Sequence, residues 1–156
     1  MSKWDKLIVT LGLIAVALFV YVLATEQMQA SYVSSIVRPA SENVSEFNDL
    51  YGVISRGGLV DVQFAEMTST DPEDYYFIDY TLSLASICPF PAKWATMNLV
   101  PVEGDIVVVQ SSPVTIGPFV SGIVTGTLLT TNPDAERLGW IEYYVLGRLK
   151  TAVVNI

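Results

Sequence analysis

Apolar and polar positions alternate with two different periods along the chain. Residues 7–24 form a run of eighteen residues without a charged side chain. At a rise of about 1.5 Å per residue, a helix of this length can just cross the hydrocarbon core of a bilayer. From Tyr51 onward, short runs of alternating apolar and polar residues are separated by Gly and Pro, which is typical of β-strands. The pattern therefore predicts a membrane-length helix followed by a mainly β head.

The residues around the apolar run indicate how it is used. Lys3 and Lys6 precede it, as in a secretory signal, and residues 22–24 would be an acceptable cleavage site. The run is longer than the apolar core of a cleaved signal peptide, which has about 7–15 residues. We therefore expect a retained signal anchor. Two Lys and one Asp at its near end and Glu26 at its far end favour an inside N-terminus and a head outside the cytoplasm.

The helical pattern continues beyond the apolar run. Residues 25–37 contain no Gly or Pro, and Arg38-Pro39 supplies a stop because the residue before proline is disfavoured in a helix. Residues at alternating steps of three and four form a heptad-like seam, which could pack the helix against other copies of the chain. This predicted seam consists of Leu11, Ile14, Leu18, Tyr21, Thr25, Met28 and Tyr32. The alternative is a helix that faces lipid or a different partner.

Three segments follow from these patterns. Residues 1–37 are predicted to form the anchor helix with its extension, residues 38–51 a stalk, and residues 52–156 the β domain. The stalk is expected to contain a short amphipathic helix ended by Gly52, and Asn43-Val44-Ser45 within it matches an N-glycosylation acceptor.

The β domain is predicted to contain six to eight short strands. Residues 51–55 and 59–64 are expected to form a hairpin around Arg56-Gly57-Gly58. The clearest strand is 75–87, in which Ile78, Tyr80 and Leu82 face one way. Further strands are expected at 106–110, 114–116, 119–131, 140–146 and 149–154. About 105 residues suffice for one core, so we predict a single small β-barrel, similar to the oligomer-binding fold, or a β-sandwich.

Part of the head resembles the oligomer-binding-fold barrels in hub and spike proteins of contractile phage tails. The resemblance covers about residues 51–112, and in those proteins a proline–glycine–aspartate segment leads into a barrel strand. The matching residues are Gly52-Val53-Ile54, Val60-Asp61-Val62-Gln63, Pro89, Pro91 and the segment from Leu99 through Pro101, Gly104 and Asp105 to Val108. The layout of an apolar helix before a β head is also similar to that of pilin-like proteins and archaeal motility anchors. These resemblances imply a role in an assembly.

The side-chain inventory excludes several kinds of chemistry. The chain has no His, which excludes Ser-His-Asp catalysis and His-ligated metals, and Cys88 is its single cysteine. We expect Cys88 to be a buried small apolar residue. Asp71, Glu73 and Asp74 share one loop, but their spacing matches no calcium loop. We therefore predict no catalytic residue, cofactor or metal, and no enzymatic activity.

Charge and aromatic content indicate the kind of partner. Beyond residue 24 the chain has fifteen acidic and six basic residues, which disfavours nucleic acid and anionic lipid as ligands of the head. Among the tyrosines, Tyr75 and Tyr144 are candidates for a protein interface. We therefore expect a homo-oligomeric structural component of a surface or virion assembly, held by residues 7–24 in a membrane or among its own copies, with other assembly proteins and no small-molecule substrate as partners. The alternative is a membrane-anchored binding module, stator-like or receptor-like, that grips an envelope layer or a partner protein.

Overall fold

A long apolar helix precedes a head of antiparallel strands. The computed structural model describes residues 2–25, 28–58 and 62–156, except for the side chains of residues 22–25. The helices are α1 (Lys3–Thr25) and α2 (Val44–Ser55), and two short 3₁₀ turns lie at Ala40–Glu42 and Pro72–Asp74. The strands are β1 (Gln29–Pro39), β2 (Val62–Gln63), β3 (Tyr76–Ala85), β4 (Ala92–Leu99), β5 (Asp105–Gln110), β6 (Val114–Ile116), β7 (Ser121–Thr130), β8 (Leu138–Val145) and β9 (Arg148–Asn155). The prediction of a mainly β protein with an N-terminal membrane-length helix is confirmed.

The helix α1 begins at a reciprocal cap. The backbone N–H of Ser2 donates to the Asp5 carboxylate at 2.7 Å, and the N–H of Asp5 donates to the Ser2 hydroxyl at 3.2 Å. These bonds satisfy two N–H groups that a helix start leaves without partners. Residues 3–21 are all exposed. Within the described part of the chain, α1 is the one helix long and apolar enough to cross a membrane.

The strands form two antiparallel sheets that pack face to face. One sheet has the order β1-β3-β7-β5-β2 and the other β6-β4-β8-β9. The alternation in β3 points Ile78, Leu82 and Leu84 into the space between the sheets, as predicted. Met97 and Ile141 of the second sheet meet them there. The head is therefore a β-sandwich with its main core between the sheets.

A second core lies on the outer face of the five-stranded sheet, under α2. Phe47 of α2 is fully buried, and its ring lies 5.4 Å from that of Tyr75. Phe77 and Leu129, on the outer face of the sheet, belong to the same cluster. Residues 38–51 are thus part of the head, and the prediction of a stalk there is wrong. It failed because the apolar stripe of α2 covers a sheet face that would otherwise meet water.

Arg38 fastens α2 to the sheet. Its Nε donates to Asp79 at 2.6 Å, its Nη1 donates to Glu46 of α2 at 3.0 Å, and its guanidinium lies 5.3 Å from the centre of the Phe77 ring. Burial works to raise the pKa of Asp79, but hydrogen bonds from Arg38 and Thr127 outweigh it and hold that pKa below its usual value. These contacts connect β1, α2 and β3.

The predicted helical extension over residues 25–37 is wrong for residues 29–37, and residues 26–27 lie outside the described residues. Residues 29–39 form β1, which pairs with β3 from Gln29 opposite Ala85 to Pro39 opposite Tyr76. This stretch is rich in β-branched and aromatic residues, and pairing along β3 satisfies its backbone. Met28 and Tyr32 therefore leave the predicted seam, because Met28 is buried in the sandwich and Tyr32 lies on β1.

The predicted hairpin over residues 51–64 is also wrong. Residues 51–55 are the end of α2, and Gly57, with a φ of 69°, forms its left-handed cap. The N–H of Gly58 donates to the carbonyl of Val53 at 2.8 Å, so the two glycines end a helix instead of turning a hairpin. Residues 59–61 lie outside the described residues, and β2 pairs with β5.

A buried ion pair joins the start of β5 to the loop before β8. Arg137 Nη2 lies 2.7 Å from the Asp105 carboxylate, and both side chains are almost fully buried. Burial works to lower the pKa of Arg137, and hydrogen bonding to Asp105 outweighs it, so that pKa is raised. Gly104, with a φ of 98°, turns the chain directly before Asp105. The Gly-Asp pair is thus the tight strand entry that the sequence suggests.

Candidate functional site

Several loops meet at the end of the sandwich where the chain arrives from α1, called the entry end here. Gln29 lies opposite Ala85, the last residue of β3, and Ala85 lies opposite Ser121, the first residue of β7. Lys93 near the start of β4 lies opposite Tyr144 near the end of β8. The entry end therefore carries the β3–β4 loop (residues 86–91), the β6–β7 turn (residues 117–120) and the β8–β9 turn (residues 146–147).

The chain is fixed to the sandwich as soon as it enters. Met28 is buried, and its backbone N–H donates to the hydroxyl of Tyr143 at 3.1 Å. Burial raises the pKa of this tyrosine, and the hydrogen bond from Met28 works in the opposite direction. Because Thr25 and Met28 are three residues apart, their Cα atoms are at most about 11 Å apart. The end of α1 therefore lies close to the entry end.

An apolar cleft opens at the entry end beside the β8–β9 turn. Its volume is about 720 Å³, and it is lined by Phe90, Lys93, Trp94, Tyr144, Leu146 and Gly147. Tyr144, which the sequence suggests as an interface residue, is half exposed in this cleft. The other candidate, Tyr75, is buried against Phe47, and its hydroxyl donates to the carbonyl of Ser69. The prediction that Tyr75 contacts a partner is therefore wrong.

Three exposed apolar residues at the entry end have a left-handed backbone. Among the described residues other than glycine, positive φ occurs at Trp94 (57°), Phe119 (57°) and Leu146 (51°). Large side chains rarely adopt this conformation, which is strained for them. All three side chains are also more than half exposed, at 65%, 61% and 59%. Backbone strain that holds apolar groups in water is a feature of functional sites more often than of ordinary turns.

Replacing Leu146 with asparagine is expected to stabilise the head. Asparagine tolerates the left-handed conformation, and Asn-Gly is the favoured pair for a two-residue hairpin turn. Because Leu146 is exposed, we expect a gain of about 1 kcal/mol in the free energy of unfolding of the full chain in detergent. Leu149→Asn is the matched control, since Leu149 is also exposed but lies on β9 with ordinary strand geometry. Destabilisation by Leu146→Asn would contradict the strain at this turn.

The remaining predicted interface residues lie on α1. Leu11, Ile14, Leu18 and Tyr21 are all exposed there. Met28 and Tyr32 are not in line with them, as described above. The packing of copies through the α1 residues stays a prediction.

The polar candidates of the sequence have structural roles here. Cys88 is fully buried, as expected, and its carbonyl accepts the N–H of Phe119 at 3.2 Å. Asp71 caps the 3₁₀ turn at Pro72–Asp74 by accepting the N–H of Glu73 at 3.0 Å. The side-chain amide of Asn43 donates to the carbonyl of Pro39 at 3.1 Å. Among the residues that the structure describes, no group of three or more His, Cys, Asp or Glu side chains could hold a metal ion.

Comparison with known proteins gives a similar solved structure and no family. No protein-family model and no curated protein matches the chain. The X-ray structure of Northeast Structural Genomics Consortium target SoR45 is similar to it, with a TM-score of 0.42, 15% sequence identity and 83% coverage of each chain. The strands within residues 51–112 lie in both sheets of the head, and β3 and β5 pair with β7 beyond that range. The resemblance to phage hub and spike barrels stays a prediction.

Proposed function

We propose that this protein is a membrane-anchored binding module. In this proposal α1 crosses the membrane once, with its N-terminus inside, and the head binds an extended segment of another protein outside. The observation that carries the proposal is β1, an eleven-residue edge strand paired with β3 on one side. Four of its apolar side chains are about half exposed, namely Tyr32, Val33, Ile36 and Val37. Long apolar edges of this kind are templates for an added strand.

A cleft beside β1 gives an added segment a place to lie. β1 of the first sheet and β9 of the second lie close together at one side of the sandwich. A cleft of about 680 Å³ there is lined by Tyr32, Glu136, Arg137, Leu138, Asn155 and Ile156. A segment in this cleft could pair with β1 and cover Tyr32. We expect the segment to be extended, with apolar and polar side chains at alternate positions, since apolar and polar residues line the cleft in equal number.

The direction of the strands favours a partner other than a second copy. All strand pairs in the described head are antiparallel. Copies anchored in one membrane share the direction of β1, which runs away from the entry end. In a second copy, the edge strands β1, β2 and β9 run in the same direction as β1, so they cannot pair with it in an antiparallel way. The fourth edge strand, β6, runs in the opposite direction but has only three residues. The described edge strands of a second copy in the same membrane therefore offer β1 no long antiparallel partner, which favours a different protein as the partner.

The second candidate is a structural subunit of a surface or virion assembly. The exposed residues Leu11, Ile14, Leu18 and Tyr21 of α1 favour it, because they recur at steps of three and four. Copies could pack through these helices while the heads face outward. The two candidates differ in what lies against β1.

Site-specific photo-crosslinking in the native membrane tests the proposal. A photoreactive phenylalanine analogue replaces Tyr32 in the full chain, and the same replacement at Tyr144 is the control because the two tyrosines are equally exposed, at 45% and 43%. We expect an adduct with a different polypeptide at Tyr32 and no protein adduct at Tyr144. An adduct at Tyr32 of twice the chain's own 17.1 kDa would favour the assembly subunit and overturn the binding module. Absence of any protein adduct at Tyr32 would also overturn it.

A further inference from the structure

We infer that the entry end of the head docks on the surface of the bilayer that α1 crosses. In this arrangement Trp94, Phe119 and Leu146 insert among the lipid head groups, so the head rests on the membrane instead of moving freely on a tether. The inference rests on the proposed function only for the placement of α1 in a membrane. It does not depend on what binds β1.

Covalent geometry places the entry end beside the bilayer. The apolar run ends at residue 24, and Met28 is already fixed in the sandwich by its burial and its bond to Tyr143. The Cα atoms of residues 24 and 28 are at most about 14 Å apart. The head-group region on each side of a bilayer is several ångströms thick. Loops that project from the entry end are therefore within reach of the lipid interface whenever α1 spans the membrane.

The side chains at the entry end suit that interface. Three separate loops and the start of β4 present large apolar groups that are half exposed or more, namely Ile87, Trp94, Phe119, Val120 and Leu146. Hydrogen bonds hold two of the loops together, since Ser86 donates to the carbonyl of Val120 and Phe119 donates to that of Cys88. Aromatic and aliphatic side chains on such tips lower their free energy by entering the membrane interface. This gain offsets the strain of the left-handed residues.

The distribution of charge supports the same placement. Of the fifteen acidic residues beyond residue 24, Glu26 precedes Met28, and none lies in the entry-end loops 86–91, 117–120 and 146–147. Lys93 and Arg148 are exposed there and can approach lipid phosphates. Exposed acidic residues occupy the loops at the opposite end, namely Glu73, Asp74, Glu103, Asp134 and Glu136. The net charge of the head predicts repulsion from anionic lipid. Because the exposed acidic residues lie in the loops at the opposite end, however, the entry end presents Lys93, Arg148 and apolar side chains to the membrane.

The three native tryptophans provide the test. The full chain is reconstituted in nanodiscs of phosphatidylcholine and phosphatidylglycerol, with or without bromine in the upper acyl chains, which quenches nearby tryptophan fluorescence. Variants with two Trp→Phe changes leave Trp4 on α1, Trp94 at the entry end, or Trp140 on β8. We expect brominated lipid to remove roughly half of the emission of Trp4 and of Trp94, since both would lie at a lipid interface. Trp140, which lies opposite Asn98 far from the entry end, is expected to keep its emission.

The pattern of quenching separates the two proposals. Quenching of Trp4 without Trp94 would overturn docking and leave the anchor intact, whereas no quenching of Trp4 would overturn the anchor itself. In the single-Trp94 background, Phe119→Ser with Leu146→Asn should weaken the quenching of Trp94, while Val153→Asn, an equally exposed apolar site on β9, should not. Unchanged quenching in the double variant, with the fold intact by circular dichroism, would also overturn docking.

Discussion

Replacing Asp105 with alanine is expected to destabilise the head by about 3–5 kcal/mol, the range for removing one partner of a buried ion pair. The change leaves the guanidinium of Arg137 without its carboxylate partner, although only about 1% of the Arg137 side chain is exposed to water. It also removes the acceptor for the N–H of Val102, which donates to Asp105 at 3.0 Å. Urea unfolding of the full chain in detergent, followed by circular dichroism, measures the loss.

A double variant separates the effect of leaving one buried charge unpaired from the effect of losing the volume of the two side chains. Asp105→Leu with Arg137→Leu removes both charges, and apolar replacement of a buried pair is often close to neutral. We therefore expect the double variant to be more stable than Asp105→Ala. Some loss should remain, because Arg137 also donates to the carbonyls of Ala135 at 2.7 Å and Asn132 at 2.6 Å. Equal stability of Asp105→Ala and the unchanged chain would mean that the carboxylate is not buried against Arg137.

Local alternation was enough to predict the strands whose faces differ clearly. β3 alternates between core and partly exposed positions from Ile78 to Ala85, and β5 to β9 follow turns that Gly and Pro mark. β4 was not predicted, because its left-handed residue at Trp94 shifts the pairing with β8 between Lys93 and Thr96 and breaks the alternation. A single irregularity in the pairing can therefore prevent a strand from being predicted from the alternation of apolar and polar residues.

Segments whose structure depends on distant partners could not be predicted from their own residues. Residues 29–37 have no helix breaker, and they become a strand because β3, which begins at Tyr76, offers a paired edge. Residues 44–55 carry an apolar stripe, but its target, the outer face around Phe77, belongs to strands that come later in the chain. In both cases the tertiary contact outweighs local propensity.

The candidate site was partly visible in the sequence. Tyr144 was selected as an interface residue for its place beside Tyr143, and the alternation of β8 does expose one and bury the other. The sequence gives no comparable signal for Trp94, Phe119 and Leu146. Their left-handed backbone, and the position of their loops at one end of the head, arise only when the chain folds. Leu146-Gly147 alone could have been noticed, since a hairpin turn there usually has Asn before Gly.

Replacing Phe47 with alanine is expected to cost about 3–5 kcal/mol, as for other fully buried aromatic residues. Phe47 fills the space between α2 and the outer face of the sheet, against Tyr75 and Leu129. Its loss leaves a cavity that the backbone of α2 cannot close, because Arg38 ties the helix to Asp79 through Glu46. Denaturant unfolding of the full chain in detergent measures the change.

A substitution at a partly exposed position of the same helix is the control. Val53→Ala alters an exposed residue of α2, so we expect a change of at most about 0.5 kcal/mol. If residues 38–51 were a stalk, both variants would leave the stability of the head unchanged. A large loss for Phe47→Ala with a small one for Val53→Ala therefore requires that α2 unfold together with the sandwich. The head would then include α2, so that its entry end follows α1 within the three residues from Thr25 to Met28.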